Sequence, residues 1–313
     1  MISCTEFIPS YSELFKYIDD HYGYSAVQSF WTYLFKPDGK GIPLINFIKK
    51  DGLKGAFDYW AGTLKEESAD VTRIMNLKQG WIKGTMHYCP SKGRLLQLQE
   101  ELGIEPYEHY CEHCKIIYSR VLEKYGAVYE RDHSLVHEAK CSSVLYEAGN
   151  PPPADYKEPK EGRTVGGCKR EGKKYLHRDF HLLGDNALKY CADKYGEEAV
   201  VNFLKQFAVD YYAPRIAEMK EGGLPAVKAW LEKIYEIEEA SEVLHAELDG
   251  DVLTFTVDKC PVIEYARGLN QELSPYYIEQ TRTLYAAIAE AAGFRFELEY
   301  YNSDGAAKFK FFK

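Results

Sequence analysis

The chain has 313 residues, 45% of them hydrophobic and 28% charged, and is long enough for two globular domains of roughly 150 residues each. The net charge of −9 argues against a nucleic-acid partner, and no apolar run approaches the ~20 residues of a membrane span. Eight cysteines without a signal-peptide pattern predict a cytoplasmic protein whose thiols are free, catalytic or metal-bound.

The first half of the sequence alternates between helical and strand patterns. Apolar residues at three- and four-residue spacing predict helices, and β-branched or aromatic runs predict strands. In chain order we expect a helix over 12–34, a helix after Gly52, a weak strand over 81–86, a helix over 112–125 and a hairpin of strands 127–130 and 141–146. Gly126 follows the third helix, as a left-handed cap would.

A linker is predicted over residues 149–176. It begins with Gly149-Asn150 and three consecutive prolines (151–153), and it continues with a stretch rich in Lys, Glu and Gly. Because this composition cannot bury apolar surface, we expect an extended, solvated segment that makes few contacts.

The second half of the sequence repeats the first. Residues 16–27 (KYIDDHYGYSAV) recur as 189–200 (KYCADKYGEEAV), and Cys89-Pro90 recurs as Cys260-Pro261. The predicted elements also keep their order: a helix over 185–212, a helix after Gly223, a strand over 252–257, a helix over 278–293 and strands 294–297 and 308–312. Matches that stay collinear through both halves indicate a duplication.

The sequence therefore predicts an α+β fold. It consists of two tandem copies of one domain, each with helices packed on a small, mainly antiparallel sheet. The expected boundaries are 1–148 for the first copy, 149–176 for the linker and 177–313 for the second copy.

Histidines and cysteines are concentrated in the first copy. They crowd the segments 87–90 (HYCP), 109–114 (HYCEHC) and 132–141 (DHSLVHEAKC). The second copy lacks most of them, with aligned changes of His109 to Tyr276, Cys111 to Ile278, His113 to Gln280, Cys114 to Thr281 and Cys141 to Phe309. We therefore expect the site in the first copy and ordinary packing at the equivalent place in the second.

Cys111 and Cys114 lie three residues apart at the predicted start of a helix. Backbone N–H groups and the helix dipole favour a thiolate at that position. His109 and His113 are one helical turn apart, so one of them is expected beside Cys111 as a base. Cys111 is the expected nucleophile, with Cys141 and Cys114 as alternatives.

A metal site is a second interpretation of the same residues. Cys89, Cys111, Cys114 and Cys141 form a possible ligand set for zinc or an iron–sulfur cluster. The catalytic interpretation requires no cofactor. A third interpretation makes both copies small-molecule sensor pockets.

At these residues the sequence resembles the L-2-amino-thiazoline-4-carboxylic acid hydrolase family. The features that carry the resemblance are Cys89, Leu102-Gly103, Cys111, Gly126 and Cys141 in the first copy, and Cys260, Gly293-Phe294 and residues 304–309 in the second. Four positions depart from the family pattern, namely Tyr110, Cys114, Lys140 and Ser142. The resemblance implies hydrolytic opening of a small heterocycle.

The predicted function is a cysteine-dependent hydrolase acting on a small heterocyclic or amide-like C–N or C–S bond. Its partner is a small-molecule substrate, with neither nucleic acid nor membrane involved. Four side chains are expected to contact the substrate: Arg120, Arg131, His137 and Tyr110. An arginine among them would hold a carboxylate through paired hydrogen bonds. The alternative function is non-catalytic binding of a metal or small ligand by the cysteine cluster.

Overall fold

The computed structural model describes residues 1–34, 44–152, 162–170 and 175–313. The chain falls into two compact units, one formed by Ile18–His177 and the other by Met1–Tyr17 together with Arg178–Lys313. We call them the first-copy unit and the second-copy unit. Among the described residues, no helix has the length and apolar character needed to cross a membrane.

The described helices and strands up to residue 177 are five α-helices and five β-strands. They are α1 (Cys4–Tyr22), α2 (Tyr24–Leu34), α3 (Leu44–Glu66), β1 (Asp70–Asn76), β2 (Trp81–Tyr88), α4 (Pro90–Leu102), α5 (Glu112–Glu123), β3 (Ala127–Asp132), β4 (Cys141–Glu147) and β5 (Arg163–Cys168).

The elements after residue 177 follow the same plan. They are α6 (Asp179–Tyr195), α7 (Glu197–Tyr211), α8 (Ala213–Gly222), α9 (Leu224–Ile237), β6 (Leu244–Asp249), β7 (Val252–Val257), α10 (Pro261–Gly268), α11 (Glu279–Ala292), β8 (Arg295–Tyr301) and β9 (Ala307–Phe312).

The two sheets share their order over four strands, and the first has β5 as a fifth strand at its edge. The first is β3-β4-β2-β1-β5 and the second, in the equivalent direction, is β8-β9-β7-β6, with every pairing antiparallel. Helices α5 and α3 pack on the first sheet, and α11 and α9 pack on the second. The α+β class and its arrangement as two helix-on-sheet copies are therefore confirmed.

Two long predicted helices are each broken by a glycine. Residues 12–34 form α1 and α2, separated at Gly23 with φ +84°, and residues 185–212 form most of α6 and α7, separated at Gly196 with φ +92°. A left-handed φ costs glycine little but strains other residues, so the chain turns there. Periodicity on both sides of the glycine had suggested one continuous helix.

Several short elements were not expected from the sequence. Strands β1 and β6 and helices α4 and α10 lie where no clear pattern was recognised. Helices α4 and α10 begin directly after Cys89 and Cys260, with proline in the first turn. A proline at the first helical position lacks only an N–H that no helix bond would use, so Cys-Pro here ends the strand segment and starts a helix.

The expected boundary at the amino terminus is wrong. Residues 1–17 belong to the second-copy unit, although we had assigned 1–148 to the first copy. The Phe7 ring stacks on Phe180 with centroids 4.5 Å apart, and the Cys4 amide donates to the Glu238 carboxylate at 2.6 Å. Burial of this apolar face, with Phe7 only 6% exposed, holds the segment there.

The expected linker also contains structure. Residues 163–168 form β5, which pairs with β1 along its full length. Thr164 and Val165 favour an extended backbone, and Gly167 lies so close to the β1 backbone that a side chain would collide with Val71. Linker positions 153–161 and 171–174 lie outside the described residues.

Candidate functional site

Helix α5 presents the two thiols that the sequence singled out. Cys111 occupies its N-cap position, and Cys114 is its third residue. Tyr110, just before the cap, is 3% exposed and anchors this end of the helix in the core. The thiols of Cys111 and Cys114 are half-buried, as are those of Cys89 and Cys141.

Cys114 forms a pair with His113. The Nε2 atom of His113 lies 3.4 Å from Sγ of Cys114, and Nδ1 hydrogen-bonds to the backbone carbonyl of Tyr110. A carbonyl oxygen only accepts hydrogen bonds, so Nδ1 must carry the proton of the neutral ring. The lone pair of Nε2 then faces the thiol, which is the orientation a base needs to take its proton.

Electrostatics around this pair favours the thiolate of Cys114. Burial alone would raise its pKa, but the charges of His113 and Arg131 and the hydrogen bond with His113 bring the pKa down to about 7. Burial would likewise lower the pKa of His113, and the Cys114 charge together with the two hydrogen bonds raises it above its ordinary value. Each group thus stabilises the charged form of the other.

The expectation that the helix terminus activates Cys111 is wrong. Burial, followed by repulsion from Cys114, raises the pKa of Cys111 to about 12. Its side chain accepts no capping hydrogen bond from the helix. Burial also raises the pKa of the Cys89 thiol. Burial thus raises the pKa of Cys111 at the N-cap, whereas the neighbouring imidazole and guanidinium lower the pKa of Cys114.

Arg131 lies beside the same thiols. Its guanidinium donates from Nη2 to Cys141 Sγ at 2.9 Å and from Nη1 to the Tyr129 hydroxyl at 3.2 Å. The Nε atom is shielded from solvent and has no hydrogen-bond partner, and no carboxylate among the described residues forms an ion pair with the side chain. A guanidinium stays charged in proteins, so this side chain is a cation without an ion-paired carboxylate among the described residues.

Strand register explains how an arginine comes to lie there. A row of mutually paired residues crosses the first sheet through Arg73, Gly84, Ser143 and Arg131. Gly84 precedes Cys89 by five residues, and Phe255 precedes Cys260 by five. The corresponding row of the second sheet is therefore Ala246, Phe255, Phe309 and Leu298. Cross-strand partners share a sheet face, so small and cationic side chains in the first copy replace a phenylalanine core.

The register also corrects one alignment. Cys141 pairs with Met86, three residues before Cys89, and Ala307 pairs with Val257, three residues before Cys260. Ala307, not Phe309, is therefore the counterpart of Cys141. The counterpart of Phe309 is Ser143.

Other predicted site residues lie elsewhere. His109 Nδ1 hydrogen-bonds to Glu112 at 2.8 Å and its ring packs against Tyr24, so it does not face a thiol. The His137 side chain is 70% exposed, with Glu138 beside it. Arg120 is exposed on α5.

The four cysteines of the proposed metal set do lie near one another. The charges of Cys114, Cys141 and Cys111 each raise the pKa of Cys89. Within the described ranges, however, no group of three or more His, Cys, Asp or Glu side chains is arranged to hold a metal ion.

Two features of the site were missed by sequence reasoning. The Glu67 carboxyl has a pKa raised by burial and lies close enough to His113 and Cys114 to interact electrostatically with both. An aromatic wall is formed by Trp60, whose ring lies 5.7 Å from Tyr129 and 5.4 Å from Tyr118. Glu67 is fifteen residues after Gly52 and Glu238 fifteen after Gly223, so the repeat itself contained a signal for this carboxylate.

Comparison with known proteins adds no assignment, because no protein-family model, curated protein or solved structure matches the chain.

Proposed function

We propose that the protein is a cysteine-dependent hydrolase of a small heterocyclic or amide-like C–N or C–S bond, with Cys114 as nucleophile. The observation that supports this most directly is the Cys114–His113 pair, whose imidazole is oriented by the Tyr110 carbonyl. A nucleophile, a base and a group that orients the base are the three parts of a nucleophilic hydrolase site.

In the proposed reaction, His113 takes the proton of Cys114, and the thiolate attacks the electrophilic carbon of the substrate. The C–N or C–S bond breaks, and the imidazolium gives its proton to the departing nitrogen or sulfur. Water, deprotonated by the same imidazole, then cleaves the covalent intermediate and restores the thiol. No cofactor is required for these steps.

Arg131 is proposed to hold a carboxylate of the substrate. Its Nε–H is one arm of the fork with which a guanidinium grips a carboxylate, and that arm has no partner among the described residues. Gly84 and Ser143 replace the two phenyl rings of the second copy, which leaves less side-chain volume between Arg131 and Arg73. The second copy, with Gln280 and Thr281 on the helix, is proposed to be a packing domain without turnover.

The test uses L-2-amino-thiazoline-4-carboxylate and small carboxylated amides as probes. We expect a ring-opened or cleaved product, and an adduct on Cys114 when the reaction is quenched with acid and the protein is digested for mass spectrometry. Cys114→Ser should abolish product and adduct, whereas Cys191→Ser, a buried thiol in α6, should leave both unchanged. Saturable binding without product in the wild type would instead support the alternative of a ligand-binding protein.

A further inference from the structure

We propose that Cys111 and Cys114 are a reversible dithiol pair, in which Cys114 reacts with a hydroperoxide and Cys111 closes a disulfide with it. This modification site goes beyond the proposed hydrolase function. It uses the same activated thiol but requires no substrate turnover.

The positions of the two residues suit such a bond. They lie three apart on the first turn of α5, where Cβ atoms are about 5–6 Å apart and a modest backbone adjustment brings them to disulfide distance. Cys111 sits at the N-cap and its thiol makes no capping bond to the helix, so rotation of its side chain breaks no capping bond. Both residues keep part of their surface exposed to solvent, as reaction with a small oxidant requires.

The surroundings assign a different role to each thiol. Cys114 has an imidazole 3.4 Å from its sulfur, and Cys111 has no such contact among the described residues. Cys141 is engaged by the Arg131 guanidinium at 2.9 Å. Cys111 is therefore the better-placed partner.

The chemistry balances with a hydroperoxide as oxidant. The Cys114 thiolate attacks the outer oxygen, an S–O bond forms and the O–O bond breaks, and the imidazolium of His113 protonates the departing alkoxide or hydroxide. Cys114 is then a sulfenic acid. The Cys111 thiol, losing its proton to His113, attacks that sulfur, an S–S bond forms, and the oxygen leaves as water. A dithiol reductant reverses the change by thiol–disulfide exchange.

The experiment treats the reduced full-length protein with one equivalent of hydrogen peroxide, alkylates the remaining thiols and maps the peptides by mass spectrometry. Trypsin releases both cysteines on one peptide, residues 95–115. In the wild type we expect this peptide to lose two hydrogens, to escape alkylation and to regain both thiols with dithiothreitol. In Cys111→Ser we expect no disulfide, and a second equivalent of peroxide should oxidise the Cys114 sulfenic acid to a sulfinic acid, which dithiothreitol does not reduce.

Cys141→Ser is the matched control and should still form the disulfide. A wild-type disulfide between Cys114 and Cys141, or overoxidation of Cys114 at the same rate with and without Cys111, would overturn the proposal. The wild-type peptide map shows which two cysteines form the disulfide, even if a variant fails to fold. If the disulfide forms but no probe is hydrolysed, the dithiol proposal stands and the hydrolase proposal fails. If a probe is hydrolysed but no disulfide forms, the hydrolase proposal stands and the dithiol proposal fails.

Discussion

The Nε2 atom of His113 lies 3.4 Å from the sulfur of Cys114, the next residue in the sequence. Neighbouring helical residues point about 100° apart, so adjacent side chains do not ordinarily meet. They do so here because the Tyr110 carbonyl, at the turn that leads into α5, holds the other ring nitrogen. The contact joins an activated thiol to a base of fixed tautomer.

Because its pKa is about 7, Cys114 should be the most readily alkylated thiol near neutral pH. Its rate with iodoacetamide should reach half of its maximum near pH 7, as measured by peptide mapping across pH. His113→Gln should move that midpoint upward and slow alkylation at pH 7, by about fivefold for the first unit of pKa and about tenfold for each further unit. His109→Gln, which removes an imidazole bonded to Glu112, is the control and should change little. Equal effects of the two variants would contradict the pairing.

Arg131→Met should also raise the pKa of Cys114, since the variant removes a cation that stabilises the thiolate. We expect alkylation of Cys114 at pH 7 to slow by roughly two- to fivefold, which corresponds to a rise in pKa of about half a unit to one unit. Arg120→Met takes away an exposed cation on the same helix and should have no measurable effect. An unchanged rate in Arg131→Met would show that the guanidinium does not act on this thiol.

Phe309→Ala should destabilise the second-copy unit by about 3–5 kcal/mol. The ring is 2% exposed and stacks on Phe255 with centroids 5.4 Å apart, so its removal leaves a cavity in the sheet's core face. Phe312→Ala, on the opposite face of β9, should cost less than half as much. Urea dependence of amide hydrogen exchange in β7 and β9 reports the unfolding free energy of this unit. Similar losses of unfolding free energy for both variants would mean that the row through Phe255 and Phe309 does not form the core of this unit.

The second-copy unit should lose stability in acid through Glu238. Burial alone would raise the pKa of this carboxyl, but hydrogen bonds and charge from His181, with the Cys4 amide, hold it below its ordinary value of 4.5. A carboxyl with a lowered folded-state pKa contributes stability that is present above the unfolded pKa and is lost as pH falls through the folded one. Glu238→Gln should therefore lower the melting temperature at pH 7 and flatten its fall below about pH 4.5.

Glu239→Gln is the control for that experiment. Its carboxylate is half-exposed and lies 3.9 Å from Arg178, a distance and exposure at which an ion pair contributes little. The wild-type melting profile against pH should persist in this variant. The same acid slope in Glu238→Gln as in wild type would place the acid sensitivity elsewhere.

The sequence by itself determined the duplication, the α+β class and the concentration of cysteines and histidines in the first copy. The strong helical periods around α5 and α11 and the β-branched run of β7 were recognisable because propensity and burial favour the same local structure there. Short or half-exposed elements such as β1 and α4 carried too weak a period to be recognised.

Only the tertiary structure decided which thiol has a lowered pKa and what surrounds it. The pKa of a cysteine depends on its burial and on charges within a few ångströms, and spacing along the chain could not tell Cys111 from Cys114. The arginine near the thiols likewise depended on register, since a shift of one residue would turn Arg131 to the other face of the sheet. Long-range contacts, such as Phe7 on Phe180, also set which unit holds the amino terminus, because apolar burial is not bound by sequence order.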